Sequence, residues 1–222
     1  MMVGVLLAGG ASTRMGRPKA LVRAGSESFL ARGVRRLWTA CDSVVVVLGA
    51  NARTIQGQAE QEFARLVANG RLNDDLQQAH GHGAAGVEVR FAVNPRWKQG
   101  MYSSVRCGLD GALDLRPTAV MLLPVDHPAV QPITVASLAG VMLQALAACR
   151  PGRERGQFSY ALIPRFRGQR GHPIALSPAL TRAVVAERSA ENLSEAIRRH
   201  ARMLGYLDVH DRGVLVNRNS AP

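Results

Sequence analysis

Residues 2–19 read MVGVLLAGGASTRMGRPK, and this stretch decides the fold that we expect for the chain. Residues 2–8 form an apolar run typical of a strand, and the run stops at a pair of glycines. The polar loop that follows carries Arg14 and Lys19. Glycines leave backbone N–H groups free to approach an anion closely, and the two cations lie beside them. The stretch therefore predicts a strand and a polyphosphate-binding loop, the alternative being an ordinary turn into a helix.

Strand-like and helix-like segments alternate after this loop. Further strands are predicted at 42–48, 87–93 and 118–125, and helices at 27–40, 52–68, 103–113 and 132–150. Beyond residue 150 we predict a hairpin of 158–163 with 173–177, helices at 178–188 and 191–202, and a last strand at 204–209. This alternation indicates right-handed βαβ units. We expect a three-layer α/β/α, Rossmann-like fold with a mostly parallel mixed sheet, in which residues 1–222 form a single domain.

The net charge of +12 points to an anionic partner. Lys19 and Lys98 are the only lysines among the 28 basic residues, so arginine dominates. Acidic residues are interspersed, no block of like charges occurs, and the ten aromatic residues form no stacking pattern. These features favour a small polyphosphate ligand over nucleic acid, although nucleic-acid binding stays open as an alternative.

The cysteines and the apolar runs predict the compartment. Cys41, Cys107 and Cys149 are odd in number, widely spaced and without a C-x-x-C pair, which argues against a disulfide framework or a zinc site and for a reducing, cytoplasmic location. No run of about 18 apolar residues occurs, so we expect no membrane span. Residues 69–86 are polar and without period, and we interpret them as a surface insertion of unassigned role.

A carboxylate follows the predicted strand at 118–125. Residues 122–128 read LLPVDHP and place Asp126 at the strand's carboxyl end. Ligands of parallel α/β sheets gather at these ends, so Asp126 is expected in the same crevice as the glycine loop. A lone carboxylate suits Mg²⁺, which also takes waters and substrate phosphates as ligands. The alternative is an Asp that caps the next helix.

Residues 94–108, NPRWKQGMYSSVRCG, form the third informative stretch. Ser103 or Ser104 would serve as the N-cap of a helix that follows a glycine. Polar side chains at such a helix start, after a strand, would also suit a base or a second substrate. Both interpretations stay open from the residues alone.

In this order and spacing, the three stretches resemble the MobA-like NTP transferase family, and within it the molybdenum cofactor cytidylyltransferases. Residues 6–19 look like the family's L-A-G-G-x-S-x-R-M-G-x-P-K motif, and residues 94–108 look like N-P-x-W-x-x-G-M-x-S-S-x-x-x-G. Residues 123–128 are similar to its metal-binding segment, and residues 171–173 to its G-H-P segment next to the acceptor. The Pro18-Lys19 pair looks more like the cytidylyltransferase branch than the guanylyltransferase branch.

The resemblance implies a Mg²⁺-dependent transfer of CMP from CTP to the phosphate of a molybdopterin acceptor, with release of pyrophosphate. The nucleotide-binding half would span about residues 1–130 and the acceptor-binding half about 131–222. Implied partners are a molybdenum hydroxylase or its maturation chaperone, and we expect a monomer or weak dimer. Alternatives are GTP as donor, another phosphorylated acceptor, or a non-catalytic nucleotide- or cofactor-binding protein.

The resemblance also implies roles for individual residues. Arg14, Lys19 and Asp126 would be catalytic, and the nucleotide would be bound by Leu7, Ala8, Gly9, Gly10, Arg14, Lys19, Asn94, Gly100, Ser103 and Ser104. The metal would be held by Asp126 with help from Asn217 or Asn219, because the chain ends VNRNSAP, where the family often has a carboxylate. The acceptor would be bound by Arg170, Gly171, His172 and Pro173. The arginines of residues 150–170 would either bind the acceptor's phosphate or form a solvated loop.

Overall fold

The computed structural model describes residues 1–10, 18–69, 88–149 and 157–218. In these ranges one eight-stranded sheet forms the middle of the molecule, beside a small two-stranded ribbon. The strands are β1 (Met2–Leu7), β2 (Arg23–Ala24), β3 (Glu27–Ser28), β4 (Ser43–Leu48), β5 (Glu88–Val93), β6 (Ala119–Pro124), β7 (Tyr160–Phe166), β8 (Gln169–Arg170), β9 (Ile174–Leu176) and β10 (Met203–Asp208). β2 and β3 make the ribbon, and the other strands make the sheet.

The sheet is mixed and mostly parallel, as the sequence predicts. Its order is β10-β7-β9-β6-β1-β4-β5, and β8 pairs with β7 alone. β1 pairs in parallel with β4 and β6, and β4 pairs in parallel with β5. β9 is antiparallel to both of its neighbours, β6 and β7, so β7 runs in the same direction as β6.

Helices cover both faces of the sheet. They are α1 (Phe29–Trp38), α2 (Ala52–Ala68), α3 (Met101–Leu113), α4 (Pro132–Ala148), α5 (Pro178–Ala186) and α6 (Leu193–His200). Side chains from α1, α2 and α4 pack with one face of the central strands, and those from α3, α5 and α6 pack with the other. Every residue of β1, β4 and β6 is buried, which explains their continuous apolar sequences. The three-layer α/β/α prediction is confirmed.

One predicted helix start is wrong, and the predicted strand pairing of the second half is confirmed. The helix after β3 begins at Phe29 rather than at residue 27, because Glu27 and Ser28 pair with β2 and Ser28 Oγ caps the helix by accepting from Ala31 N. The predicted antiparallel pairing of 158–163 with 173–177 is confirmed, since β7 pairs with β9. β9 also pairs with β6 on its other side, and the tight hairpin of this region joins β7 to β8.

The structure also bears on the cysteines and on membrane spans. Cys41, Cys107 and Cys149 are all free thiols, so no disulfide links them. Within the described ranges, no helix is both long enough and apolar enough to cross a bilayer. The predicted insertion at 69–86 lies almost entirely outside those ranges, as do Arg14 and Asn219.

Candidate active site

A cleft lies where the strand order changes direction. β1 has β4 on one side and β6 on the other, so the chain builds one side of the sheet and then crosses to the other. In parallel α/β sheets this leaves a ligand crevice at the strands' carboxyl ends. The cleft here, which we call the central cleft, has a volume of about 410 Å³. It is lined by Leu7, Ala8, Gly9, Gly10, Lys19, Ala20, Trp97, Lys98, Gly100, Met101, Ser104, Pro124, Val125 and Asp126.

Lys19 and Asp126 meet in the central cleft. Lys19 Nζ donates to Asp126 Oδ2 at 3.3 Å, and the side chains are only 20% and 10% exposed. Lys19 begins a 3-10 turn, Lys19–Leu21, after the glycine loop, and Asp126 follows the end of β6 by two residues. The fold therefore joins two predicted catalytic residues that are 107 positions apart in the chain.

The second carboxylate oxygen of Asp126 fits a divalent cation. Asp126 Oδ1 is buried and accepts no hydrogen bond from the described residues, and His127 Nε2 lies 3.9 Å from it. A buried carboxylate oxygen without a partner is costly, and a metal ion would satisfy it. In the part of the chain that the structure describes, no three His, Cys, Asp or Glu side chains form a metal cluster. A single carboxylate with substrate phosphates and waters is a ligand set typical of Mg²⁺.

Asp126 is not a helix cap, which removes the alternative interpretation of this residue. α4 begins at Pro132, and the carboxylate near its start belongs to Asp211. Asp211 Oδ2 accepts from Gln131 N and from Thr134 Oγ1, both at 2.8 Å. The capping role thus falls to a residue far away in sequence, and Asp126 stays available to the central cleft.

A close backbone approach shapes the wall of the central cleft. Gly49, directly after β4, lies against Gly9 and Trp97, and a Cβ at Gly49 would clash with the Gly9 carbonyl oxygen. The same Cβ would lie 2.7 Å from Trp97 Cβ, far inside van der Waals contact. Glycine at position 49 therefore lets the loop after β1 and the indole side chain pack together at the cleft.

The predicted residues of 94–108 divide into two groups. Gly100 and Ser104 line the central cleft. Asn94 is buried, and its side-chain amide donates to Ser103 Oγ at 2.9 Å and to Ser104 Oγ at 3.0 Å. Asn94 and Ser103 thus hold the end of β5 against the start of α3. The predicted serine N-cap is wrong, since α3 begins at Met101 and the position before it is Gly100, which provides no side-chain cap.

A pair of histidines lies next to Asp126. The ring centroids of His127 and His172 are 4.9 Å apart with the rings nearly edge to face, and both Nδ1 atoms are buried. Burial, with a further contribution from His127, lowers the pKa of His172 to about 4. Burial also lowers the pKa of His127, although neighbouring Asp126 opposes that shift. Both rings are therefore neutral at pH 7 and contribute shape and hydrogen-bonding capacity rather than charge.

The predicted acceptor segment is held against the C-terminal part of the chain. Gly171 N donates to Pro164 O and His172 N donates to Val214 O, and a Cβ at Gly171 would clash with the Val214 carbonyl. Pro173 is buried directly before β9, whereas Arg170 packs its guanidinium over the Tyr206 ring at 5.1 Å. His172 thus reaches the neighbourhood of Asp126, and Arg170 does not line the central cleft.

Asn217 occupies a different cleft from the one predicted for it. It lines a second cleft with Arg167 and Arg212, and it is not among the residues of the central cleft. The next residue, Arg218, contacts the segment around Asp126, because Arg218 N donates to the backbone carbonyl of Asp126 at 2.8 Å. The C-terminal segment therefore passes directly beside the central cleft.

Sequence reasoning assigned no role to several residues of this region. Trp97, Lys98 and Met101 line the cleft within a stretch that was recognised, and 66% of Met101 is exposed, unusual for a large apolar side chain. A signal for these three existed, since they lie inside the matched motif. His127 lies inside the matched segment 123–128, so a signal existed for it as well. Gly49 gave no such signal, because its role depends on contacts with Gly9 and Trp97.

Comparison with known proteins agrees with this geometry. The model of the MobA-like NTP transferase domain matches residues 4–203. A nicotine blue oxidoreductase of Paenarthrobacter nicotinovorans is 32% identical over 200 residues, covering 86% of this chain and 78% of the relative.

Two solved structures share the fold. Rv0371c from Mycobacterium tuberculosis H37Rv superposes with a TM-score of 0.63 at 19% identity, covering 94% of this chain and 88% of that one. Rv0371c has also been solved in complex with manganese. A nucleotidyl transferase from Methanothermobacter thermautotroptrophicus gives a TM-score of 0.62 at 20% identity, covering 100% of this chain and 93% of that one. With the family model matched over nearly the whole chain, this protein belongs to the MobA-like NTP transferases, a family of nucleotidyltransferases.

Proposed function

We propose that this nucleotidyltransferase transfers CMP from CTP to the phosphate of a molybdopterin-type acceptor, with Mg²⁺ as cofactor. The observation that carries the proposal is the buried Lys19–Asp126 pair beside the glycine loop, with Asp126 Oδ1 left without a described partner. Such a site offers a cation for a phosphate and a carboxylate for a metal in one cleft. Nucleotidyl transfer depends on positioning and charge neutralisation, which these groups supply.

The proposed reaction is an in-line displacement at phosphorus. An oxygen of the acceptor phosphate attacks the α-phosphorus of the nucleotide, a new P–O bond forms, and the bond to the leaving pyrophosphate breaks. The backbone amides of Gly9 and Gly10 would hold the triphosphate, and Arg14 would bind its β and γ oxygens. Lys19 would stabilise the negative charge at the α-phosphate. Mg²⁺ held by Asp126 would neutralise charge on the transferred and leaving groups.

The choice of donor and acceptor rests on sequence. The Pro18-Lys19 pair and the Gly100-Met101-x-Ser103-Ser104 string resemble the cytidylyltransferase branch. GTP as donor and another phosphorylated acceptor are the nearest alternatives. The G-H-P turn beside Asp126 supports an acceptor that approaches from the side of His172. A molybdenum hydroxylase or its maturation chaperone would then receive the product.

Pyrophosphate release tests the proposal in one experiment. The purified protein is incubated with each of the four NTPs, Mg²⁺ and candidate acceptors, including molybdopterin. We expect pyrophosphate with CTP and molybdopterin, and none when the acceptor is left out. Pyrophosphate release with GTP instead of CTP would identify GTP as the donor. If none of the four NTPs gave pyrophosphate with any acceptor, the proposed function would be contradicted.

A second candidate is favoured by one observation, the 32% identity to a protein named nicotine blue oxidoreductase. On that basis the chain would catalyse a redox reaction on nicotine blue or a related substrate. The glycine loop lacks the G-x-G-x-x-G spacing of the dinucleotide-binding fingerprint, which favours nucleotidyl transfer. Redox conversion of nicotine blue by the purified protein, without pyrophosphate release in the NTP assay, would establish the second candidate instead.

A further inference from the structure

A second cleft with a strong positive charge lies away from the central cleft. It has a volume of about 690 Å³, and its polar lining comes from Arg167, Gln169, Arg212 and Asn217, with Phe166 beside them. We call it the arginine cleft. Its lining contains two guanidinium groups and two amides and no carboxylate.

The arginine cleft opens at the same edge of the sheet as the central cleft. β7 ends at Phe166 and runs in the same direction as β6, with β9 between them. Neighbouring strands are about 4.8 Å apart, so the carboxyl ends of β6 and β7 are separated by roughly 10 Å. Asn217 of the arginine cleft directly precedes Arg218, whose N–H donates to the Asp126 carbonyl. A ligand in the arginine cleft would therefore lie near the candidate active site.

The arginines around this cleft differ in their partners. Arg165 makes two hydrogen bonds to the carboxylate of Asp208, at 3.0 and 2.8 Å, so its charge is already neutralised. Arg170 stacks on Tyr206. Arg167 likewise lies over a ring, with its Cζ 5.3 Å from the centroid of Phe166. Unlike Arg165, however, neither Arg167 nor Arg212 forms an ion pair with a carboxylate in the described ranges. Two like charges brought into one cleft repel each other, and a bound anion would remove that cost.

The turn that carries Arg167 is unfavourable for an arginine. Phe166 pairs with Gln169, so Arg167 and Gly168 form a two-residue hairpin loop, with φ values of 52° and 78°. Such turns need positive φ at both positions and favour Asn-Gly, because most L-residues at positive φ cost about 1 kcal/mol or more. Arg167 thus lines the cleft despite the unfavourable backbone conformation that it adopts in this turn.

We propose that the arginine cleft binds a small-molecule oxyanion, a phosphate or a carboxylate, through the guanidinium groups of Arg167 and Arg212. The planar fork of arginine matches both anions. In the proposed transfer reaction, the ligand is the phosphate of the acceptor, held here before it reaches the α-phosphorus in the central cleft. This role rests on the proposed function, whereas oxyanion binding itself does not. The other source of the same chemistry is free inorganic phosphate.

Titration with inorganic phosphate, followed by the Nε–Hε NMR signals of the arginines, tests the binding site directly. We expect saturable shifts of the Arg167 and Arg212 signals, and an affinity lowered at least about fivefold in Arg167→Asn and in Arg212→Gln. Asn suits the turn, so Arg167→Asn should unfold at the same or a higher temperature while it loses phosphate affinity. If Arg167 had a purely structural role, Arg167→Asn would not lower the phosphate affinity while keeping the unfolding temperature.

Two control variants locate the site. Arg65→Ala removes one exposed arginine from α2 and should leave the phosphate titration unchanged. Lys19→Ala alters the central cleft and should leave the Arg167 and Arg212 shifts unchanged as well. Shifts that do not saturate, equal affinities in the wild type and both arginine-cleft variants, or shifts lost in Lys19→Ala would overturn the proposal.

The acceptor assay separates the two sources of the oxyanion. If the acceptor supplies it, Arg167→Asn raises the acceptor KM at least about fivefold and leaves the NTP KM unchanged. An unchanged acceptor KM, with phosphate binding still lost, would overturn the acceptor role. If no acceptor reacts with any NTP, the proposed function fails, and the phosphate titration still decides whether the arginine cleft binds oxyanions.

Discussion

The central cleft and the arginine cleft lie at the same edge of the sheet but differ in the burial and pairing of their charged side chains. In the central cleft, Lys19 and Asp126 are largely buried and compensate each other. In the arginine cleft, Arg167 and Arg212 are exposed, with no carboxylate in the lining. Buried charges are screened little by salt, whereas exposed ones are screened within about 8 Å at physiological ionic strength. This difference fits the roles proposed for them, chemistry in the central cleft and capture of an anion in the arginine cleft, and each prediction below tests one of these roles.

The largest effect is expected from removing either member of the buried pair. Lys19→Ala and Asp126→Ala should each lower turnover at least about a hundredfold, because one preorganised charge in a transition state typically contributes about 3 kcal/mol or more. Thermal unfolding shows whether each variant is folded, and Arg65→Ala serves as a matched charge control. Near-normal turnover of either folded variant would contradict the assigned roles.

Removal of the metal should have an effect of similar kind. Because only one carboxylate in the described cleft suits Mg²⁺, its affinity should depend on the bound nucleotide. Chelation with EDTA should abolish pyrophosphate release, and Mg²⁺ or Mn²⁺ should restore it in the wild type and only weakly in Asp126→Asn. Full activity in EDTA would remove the metal from the proposed mechanism.

A smaller effect is expected at His172, whose ring nitrogen Nδ1 is buried and whose ring packs against His127. Its pKa of about 4 lies below the ordinary value of 6.5, so the unfolded chain binds the proton more tightly. The stability from a neutral His172 is therefore complete above pH 6.5 and is lost as the pH falls towards 4, by roughly 3 kcal/mol. Urea unfolding of the wild type and His172→Gln should show a gap that narrows over this range. Parallel pH profiles would contradict the prediction.

A more moderate effect should follow from narrowing the central cleft. In Gly49→Ala, the added methyl must displace Gly9 or Trp97, which should weaken NTP binding about tenfold. Trp97 fluorescence on nucleotide titration measures this, and Trp38 is buried in the core and far less exposed to a ligand. Gly57→Ala is the matched control, because no atom lies within 4 Å of its added Cβ. Equal affinities in both variants would show that Gly49 does not shape the site.

The two clefts also differ in how far the sequence predicts them. Asp126 directly follows an apolar run, and Lys19 follows the loop after another one. Because the two strands are parallel neighbours, both residues are predicted at the same edge of the sheet. Asn217 was predicted at the metal because of a chain-end motif, but the path of the last segment depends on Val214 packing against Gly171 and His172. Likewise, the sequence predicts the pairing of β9 with β7, whereas no local pattern encodes its long-range pairing with β6. Local periodicity therefore predicts the central cleft, whereas tertiary contacts determine the outer one.

The smallest effect is expected from Arg165, and it sharpens the contrast within the arginine group. Its guanidinium already binds Asp208, whose side chain is 71% exposed, so this ion pair contributes about 1 kcal/mol or less. Arg165→Ala should change the melting temperature little and the acceptor KM less than about twofold, because the lost charge was already neutralised. A double-mutant cycle with Asp208→Ala measures the pair, and the KM of Arg165→Ala is compared with that of Arg167→Asn. Arg165→Ala and Arg167→Asn could instead raise the acceptor KM equally. The ion pair with Asp208 would then not determine which arginines bind the anion. Capture would then depend on the summed positive charge of the surface.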